Sequence, residues 1–250
     1  MLWAEEAGVG PRLALVHGFT QTRACWGPVA ADLESDHVVV RIDAPGHGRS
    51  AAVPADLRGG ADLLADAGGR ATWLGYSMGG RYLLHLALAR PEVVRALVLL
   101  GATGGIDDDV ARAERVAADE RLARQLEDEG LARFLDRWLA LPLFGGLSPE
   151  AQHRAARLDN DPLALATSLR LAGTGRQEPL WDRLHGLDMP VLVLAGERDE
   201  RFRAAGERLA ASIGGNARLA LVPGAGHAAH LERPQAFLDV LRPWLAAHDT

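Results

Sequence analysis

Short apolar runs closed by Gly or Pro alternate along the chain with longer stretches in which apolar residues recur every three to four positions. The first kind reads as buried strand and the second as amphipathic helix. The pattern predicts strands at Arg12–Phe19, His37–Asp43, Ala71–Ser77, Arg95–Ala102, Met189–Gly196 and Ala217–Pro223. Helices fall between them, near Trp26–Leu33, Met78–Ala89 and Arg203–Ser212, with a last one near Pro234–Ala247. Such alternation builds βαβ units, so the fold class is α/β, with a mostly parallel central sheet and helices on both faces.

The alternation breaks once. From about Ile106 to His185 no strand pattern occurs, only helical periodicity, through Ala111–Gly130, Leu131–Leu141, Pro149–Arg157 and Pro162–Ala172. Asp107-Asp108-Asp109 opens this stretch, where acids favour the helix dipole. Helix capping explains them without a metal. The segment reads as a helical cap inserted between two strands of a single domain spanning residues 1–250. It is expected to lie over the carboxyl edge of the sheet, where α/β folds place their ligands.

Composition narrows the picture. Of the 250 residues, 48% are apolar, enough for a large core and against disorder. The net charge of −6 argues against nucleic acid or an anionic membrane as partner. All 27 basic residues are Arg. A compositional bias that also explains the many Ala accounts for most of them, with bidentate carboxylate recognition as the alternative. The single Cys25 excludes an internal disulfide or a Cys-rich metal site and reads as a structural thiol beside Trp26. The N-terminus lacks a basic region followed by an apolar stretch, and no apolar run approaches the roughly 18 residues of a membrane span. A cytoplasmic protein without cofactor or metal is expected; the oligomeric state is not legible.

The chemistry is carried by Gly75-Tyr76-Ser77-Met78-Gly79, a G-x-S-x-G elbow with a strand before it and a helix after it. The turn exposes the serine at a helix N-terminus, where developing negative charge is favoured. Leu15-Val16-His17-Gly18-Phe19 ends the first predicted strand. Its following loop and the residue after the serine nominate the backbone N–H groups of Phe19 and Met78 as an oxyanion hole. Losing one such donor costs roughly 10²–10³ in rate. His17 comes too early in the chain for the base and reads as a structural hydrogen-bonding residue of the loop. Where this elbow occurs, the order along the chain is Ser, then Asp or Glu, then His. Gly196-Glu197-Arg198-Asp199 places acids after one strand, and Gly224-Ala225-Gly226-His227 places a histidine after the last. His227 is the general base, and Asp199 the acid that orients it, with Glu197 and Glu200 as competitors. His230 finds no third ligand at metal-site spacing and reads as a helix-start residue.

The His17-Gly18-Phe19 run, the Asp43–Ser50 loop, the serine elbow and Gly226-His227 together resemble the α/β-hydrolase superfamily over essentially the whole chain. More narrowly, several stretches resemble the MenH family of menaquinone biosynthesis. They are Gly75–Arg81, Trp138 with Pro142-Leu143-Phe144, Ser168–Gln177, Gly196–Phe202 and His227–Glu232. That resemblance implies a lyase that eliminates pyruvate from a cyclohexene bearing three carboxylates. It also implies substrate contacts from Tyr76, Arg81, Arg115, Trp138 and Arg157. Arg115 has an alternative role in pairing with Asp119 one turn on, worth only about 0.3–0.5 kcal/mol on a solvated face. Trp138 could instead be core, and Arg124 and Arg154 compete for the arginine positions. Fewer than a dozen residues precede the first predicted strand, so the leading hairpin of such folds is cut short. Because the insertion is acidic overall, any basic pocket must be local. The leading reading is pyruvate elimination with Ser77 as base. The alternatives are a carboxylesterase or lactonase using the same residues for acyl transfer, and a small-molecule receptor.

Overall fold

A strand covered by helices on both faces must be apolar on both, and two stretches meet that demand throughout: Ala71–Tyr76 and Val191–Gly196 are buried at every position. In the computed structural model, which describes residues 1–248, they lie inside a seven-stranded sheet. Its strands are β1 (Ala4–Gly8), β2 (Arg12–Val16), β3 (Val38–Ile42), β4 (Ala71–Tyr76), β5 (Val94–Leu100), β6 (Val191–Gly196) and β7 (Ala217–Val222). The order is β1-β3-β2-β4-β5-β6-β7. Every neighbouring pair is parallel except β1 with β3.

The helices are α1 (Gly27–Leu33), α2 (Leu57–Gly68), α3 (Met78–Ala89), α4 (Asp109–Glu129) and α5 (Leu131–Leu139). They continue with α6 (Arg154–Leu158), α7 (Pro162–Ala172), α8 (Glu200–Ile213), α9 (Ala229–Glu232) and α10 (Pro234–His248). Alternate strand residues feed two separate cores. Val16, Trp73, Leu97 and Val193 pack with Leu64 of α2, Tyr82 of α3 and Leu209 of α8. Leu15, Leu74, Val98 and Leu194 pack with Leu33 of α1 and Phe237 and Leu241 of α10. Between β5 and β6 the chain is helical, with Leu126, Phe134, Leu135 and Leu165 forming a third cluster of their own. Phe19 and Trp138 pack against it from its edge.

Three elements depart from the sequence expectation. The strand β1 precedes the first predicted one; its Ala-Glu-Glu-Ala-Gly run has no apolar signature and forms because β3 offers it a partner, with Ala4 opposite Ile42 and Gly8 opposite Val38. Helix α2 was not expected, since Gly59, Gly60 and Gly68 interrupt its pattern. Two of these glycines are demanded by neighbours: a Cβ on Gly60 would lie 2.2 Å from Tyr82 Cε1, and one on Gly68 2.2 Å from Trp73 Cη2. The expected helix over Pro149–Arg157 starts only at Arg154, because His153 sits in the left-handed region at φ 48°. Asp108 caps α4 by accepting the Ala111 N–H at 2.7 Å, while Asp107 pairs with Arg208 at 2.5 Å.

The two adjacent glycines of α2 should respond oppositely to the same change. Gly59→Ala meets Asp56 Oδ1 at 3.3 Å on an exposed turn and should be neutral or stabilising by up to about 1 kcal/mol. Gly60→Ala should destabilise by about 1–3 kcal/mol through overpacking against Tyr82. Urea unfolding of both variants reads the sign; a stabilised Gly60→Ala variant contradicts the packing argument.

Candidate active site

The sharp turn from β4 into α3 requires two backbones to pass closely. A Cβ on Gly75 would lie 2.6 Å from Gly80 N, and one on Gly79 2.2 Å from Val16 O, so both positions exclude side chains. Ser77 occupies the turn itself at φ 51°, ψ −106°, a conformation costing a non-glycine residue about 1–3 kcal/mol. The Ser77 N–H donates to Leu100 O at 2.8 Å, which locks the turn onto β5.

Two loops at the same sheet edge meet the serine. His227 follows β7, is 3% exposed, and its Nε2 lies 3.4 Å from Ser77 Oγ. Its Nδ1 lies 2.8 Å from Asp199 Oδ2. A carboxylate can only accept, so Nδ1 carries the hydrogen and the Nε2 lone pair faces the serine. The other Asp199 oxygen accepts the Phe202 N–H at 3.2 Å, making Asp199 the N-cap of α8 and fixing both of its oxygens. Glu197 instead accepts the Gly224 N–H at 2.8 Å, and Glu200 is exposed in the first turn of α8. Among the three candidate acids, Asp199 alone reaches the imidazole among the described residues. Glu232 holds the histidine loop from behind, accepting the Gly226 N–H at 2.7 Å and the Ala228 N–H at 3.0 Å.

The Phe19 and Met78 N–H groups have no protein partner among the described residues. His17 is fully buried, with Nε2 accepting the Ala44 N–H at 3.0 Å and Nδ1–H donating to Gly18 O at 2.9 Å. Both nitrogens are thus committed to the loop, and burial lowers the pKa. His230 lies in α9 and is buried between the rings of Trp26 and Tyr76. Cys25 is buried in the turn before α1. Among the described residues no cluster of three His, Cys, Asp or Glu is arranged to hold a metal ion.

Above Ser77 a cavity of about 470 Å³ opens between the sheet edge and α4, α5 and α7. Four arginines line it, Arg81, Arg115, Arg157 and Arg201, and no Asp or Glu among the described residues does. Arg81 is 7% exposed, donates Nη1 to Ala172 O at 2.7 Å, and burial lowers its pKa to about 10. Arg157 is 1% exposed; Nε donates to Gln152 O at 2.7 Å and Nη1 to Thr20 Oγ1, while Nη2 has no partner. Burial lowers its pKa too. Arg115 pairs through Nε with the buried Asp119 at 2.8 Å and also lines the cavity. Arg124 pairs with Glu120, and Arg154 with Asp136; neither lines the cavity. Tyr76 and Trp138 complete the wall, the latter 5.4 Å from Phe19 and stacked on Phe134.

Gln21, Thr103, Ser168, Thr174 and Arg201 are polar wall residues outside the set expected from the sequence. Arg201 stands two positions after Asp199, so its place in the acid loop was a usable signal. Gln21 stands two positions after Phe19 in a loop with no periodicity, and no signal marks it.

Residues 13–240 match the model of the alpha/beta hydrolase family, and the chain belongs to that family. It is 35% identical to the 2-succinyl-6-hydroxy-2,4-cyclohexadiene-1-carboxylate synthase of Salmonella typhimurium, over 92% of each chain. Its fold superposes on MenH from S. aureus with a TM-score of 0.90 at 30% identity, covering 100% of this chain and 99% of that one. Within the larger family the chain belongs to these synthases, the MenH family. A thermophilic esterase from Thermogutta terrifontis, solved with malate bound, superposes with a TM-score of 0.86 at 26% identity, covering 100% and 94%. Among the described residues no helix is long and apolar enough to cross a membrane.

Asp199→Asn should leave the fold intact but slow turnover about 10⁴-fold, since the amide favours the wrong imidazole tautomer. Glu197→Gln and Glu200→Gln should stay within a few-fold of wild type. Steady-state kinetics on the three purified variants decide; a severe loss in either glutamate variant with an active Asp199→Asn reverses the assignment.

Proposed function

We propose that this protein eliminates pyruvate from 5-enolpyruvoyl-6-hydroxy-2-succinyl-cyclohex-3-ene-1-carboxylate in menaquinone biosynthesis, with Ser77, His227 and Asp199 as the catalytic triad. His227 takes the Ser77 proton, and Asp199 stabilises the resulting imidazolium. The serine oxygen removes the ring proton next to the succinyl carbonyl. The electron pair moves through the ring alkene and breaks the carbon–oxygen bond to the enolpyruvyl group. Enolpyruvate leaves as its enolate, takes up the proton that His227 holds, so that the imidazole is neutral again, and tautomerises to pyruvate, leaving the ring diene. Negative charge gathers meanwhile on the succinyl carbonyl oxygen, which the Phe19 and Met78 N–H groups would receive. No metal or cofactor is required.

The observation that carries this reading is the charge of the cavity: four arginines and no acid in its described wall, above the serine. Burying Arg81 and Arg157 with carbonyl and hydroxyl partners rather than carboxylates is costly. A substrate with three carboxylates repays that cost by accepting charge-assisted hydrogen bonds from the guanidinium hydrogens that these contacts leave uncommitted. Arg81, Arg115 and Arg157 are read as the substrate cations, with Tyr76 and Trp138 shaping the wall. The 106–185 segment is read as a cap on one domain, and the enzyme as cytoplasmic.

The esterase neighbour keeps a second reading in play, acyl transfer by the same serine. The charged wall separates the two, because a neutral ester gains nothing from it. A charge-assisted hydrogen bond is worth roughly 1.5–3 kcal/mol. Arg81→Ala, Arg115→Ala and Arg157→Ala should therefore each lower kcat/KM for pyruvate release by about 10- to 100-fold. Slow hydrolysis of a neutral nitrophenyl ester should change little. Brisk ester turnover by wild type with no pyruvate release would transfer the case to the esterase.

A further inference from the structure

Gln21 follows the Gly18-Phe19 turn and is 1% exposed. Its Oε1 accepts the Gly18 N–H at 3.2 Å, and its own backbone N–H donates back to Gly18 O at 3.1 Å. That first bond settles which end of the amide is which. Only oxygen can accept from an N–H, so Nε2 with its two hydrogens is the opposite end. Nε2 is buried without an acceptor among the described residues, and Gln21 forms part of the cavity wall. A buried amide with both hydrogens unused is rare in folded proteins. If the residue served only to hold Gly18, an acceptor would suffice; the donor half answers to something inside the cavity.

The neighbouring group with the same need is Arg157. Arg157 belongs to the same wall; its Nη1 donates to Thr20 Oγ1, the residue adjoining Gln21, and its Nη2 is buried and unpartnered. Asn160 ties the two segments together, donating Nδ2 to Thr20 O at 2.9 Å and to Arg157 O at 2.9 Å. Both unpartnered donors therefore belong to one hydrogen-bonded junction between the loop after β2 and the end of α6. Two fixed N–H donors, one of them cationic, with no acid in the described wall fit a carboxylate.

We propose that Gln21 is a substrate-binding residue, its Nε2 acting with Arg157 Nη2 to receive one carboxylate of the substrate. The identity of that substrate rests on the pyruvate-elimination reading; the ligand class, a polycarboxylate, rests on the wall.

Two substitutions separate this role from a structural one. Gln21→Glu keeps an oxygen for the Gly18 N–H but turns the donor into an anion; Gln21→Met removes the donor, and with it the Gly18 acceptor, without adding charge. For pyruvate release, Gln21→Met should raise KM about tenfold, and Gln21→Glu further, with kcat changed less than about threefold. Melting of the Gln21→Glu variant should match wild type. In an Arg157→Ala background the further effect of Gln21→Met should shrink, because the shared carboxylate is already loosened. Calorimetric titration with citrate supplies a readout independent of turnover, and both variants should bind it more weakly than wild type. A wild type that binds citrate but releases no pyruvate defeats the functional reading and leaves this one standing. Wild-type KM and citrate affinity in Gln21→Glu would overturn the proposal, as would losses in kcat alone. Full additivity with Arg157→Ala would overturn the shared clamp. If Gln21→Met does not fold, Gln21→Glu alone decides.

Discussion

Everything chemical in this protein is measured from one strained turn. Ser77 is held at φ 51° because β4 and α3 leave the chain no other route, and Gly75 and Gly79 let the start of α3 touch the end of β2. A Cβ on Gly79 would lie 2.2 Å from Val16 O and 2.8 Å from His17 O. Phe19 and Met78 line one cavity with the serine. His227 and Asp199 then arrive from the ends of β7 and β6, because parallel strands deliver all their following loops to one edge of the sheet. The strain is sustained by packing on both faces of the sheet together with the Ser77 N–H bond to Leu100 O, which locks the turn onto β5.

The second constraint is electrostatic. The cap carries more acids than arginines, yet its cavity face is cationic, and helical periodicity explains the separation. On α4, Arg115, Ala118 and Leu122 fall on one face and line the cavity. Glu120 and Glu127 face away and hold Arg170 in an ion-pair cluster outside. Asp136 likewise holds Arg154 outside. Acidic side chains are thereby spent on surface pairs, each of small energetic worth, while the guanidiniums that reach the cavity lack an acid in its described wall. Asp119 is the buried exception; it stands behind Arg115 and also accepts the Gly175 N–H at 3.3 Å.

The sequence by itself determined the alternation of apolar runs and helical stretches, and with it the parallel sheet, the break in alternation after residue 106, and the serine elbow. These are local signals, carried by burial periodicity and by glycines that a tight turn requires. What lay beyond it depended on partners distant along the chain. The strand at Ala4–Gly8 exists because β3 has an open edge, and α2 tolerates its glycines because Tyr82 and Trp73 fill the space above them. The position of Asp199 relative to Glu197 and Glu200 was decided by which carboxylate the loop aims at His227, and that aim is set by capping α8. Arg115 and Arg157 reach the cavity while Arg124 and Arg154 do not, a difference of helix face and helix end that composition does not encode. Gln21 carries no pattern at all. Its donor acquires meaning only when the loop after β2, the end of α6 and the cavity are assembled around it, since an unpartnered buried amide is a property of the tertiary structure.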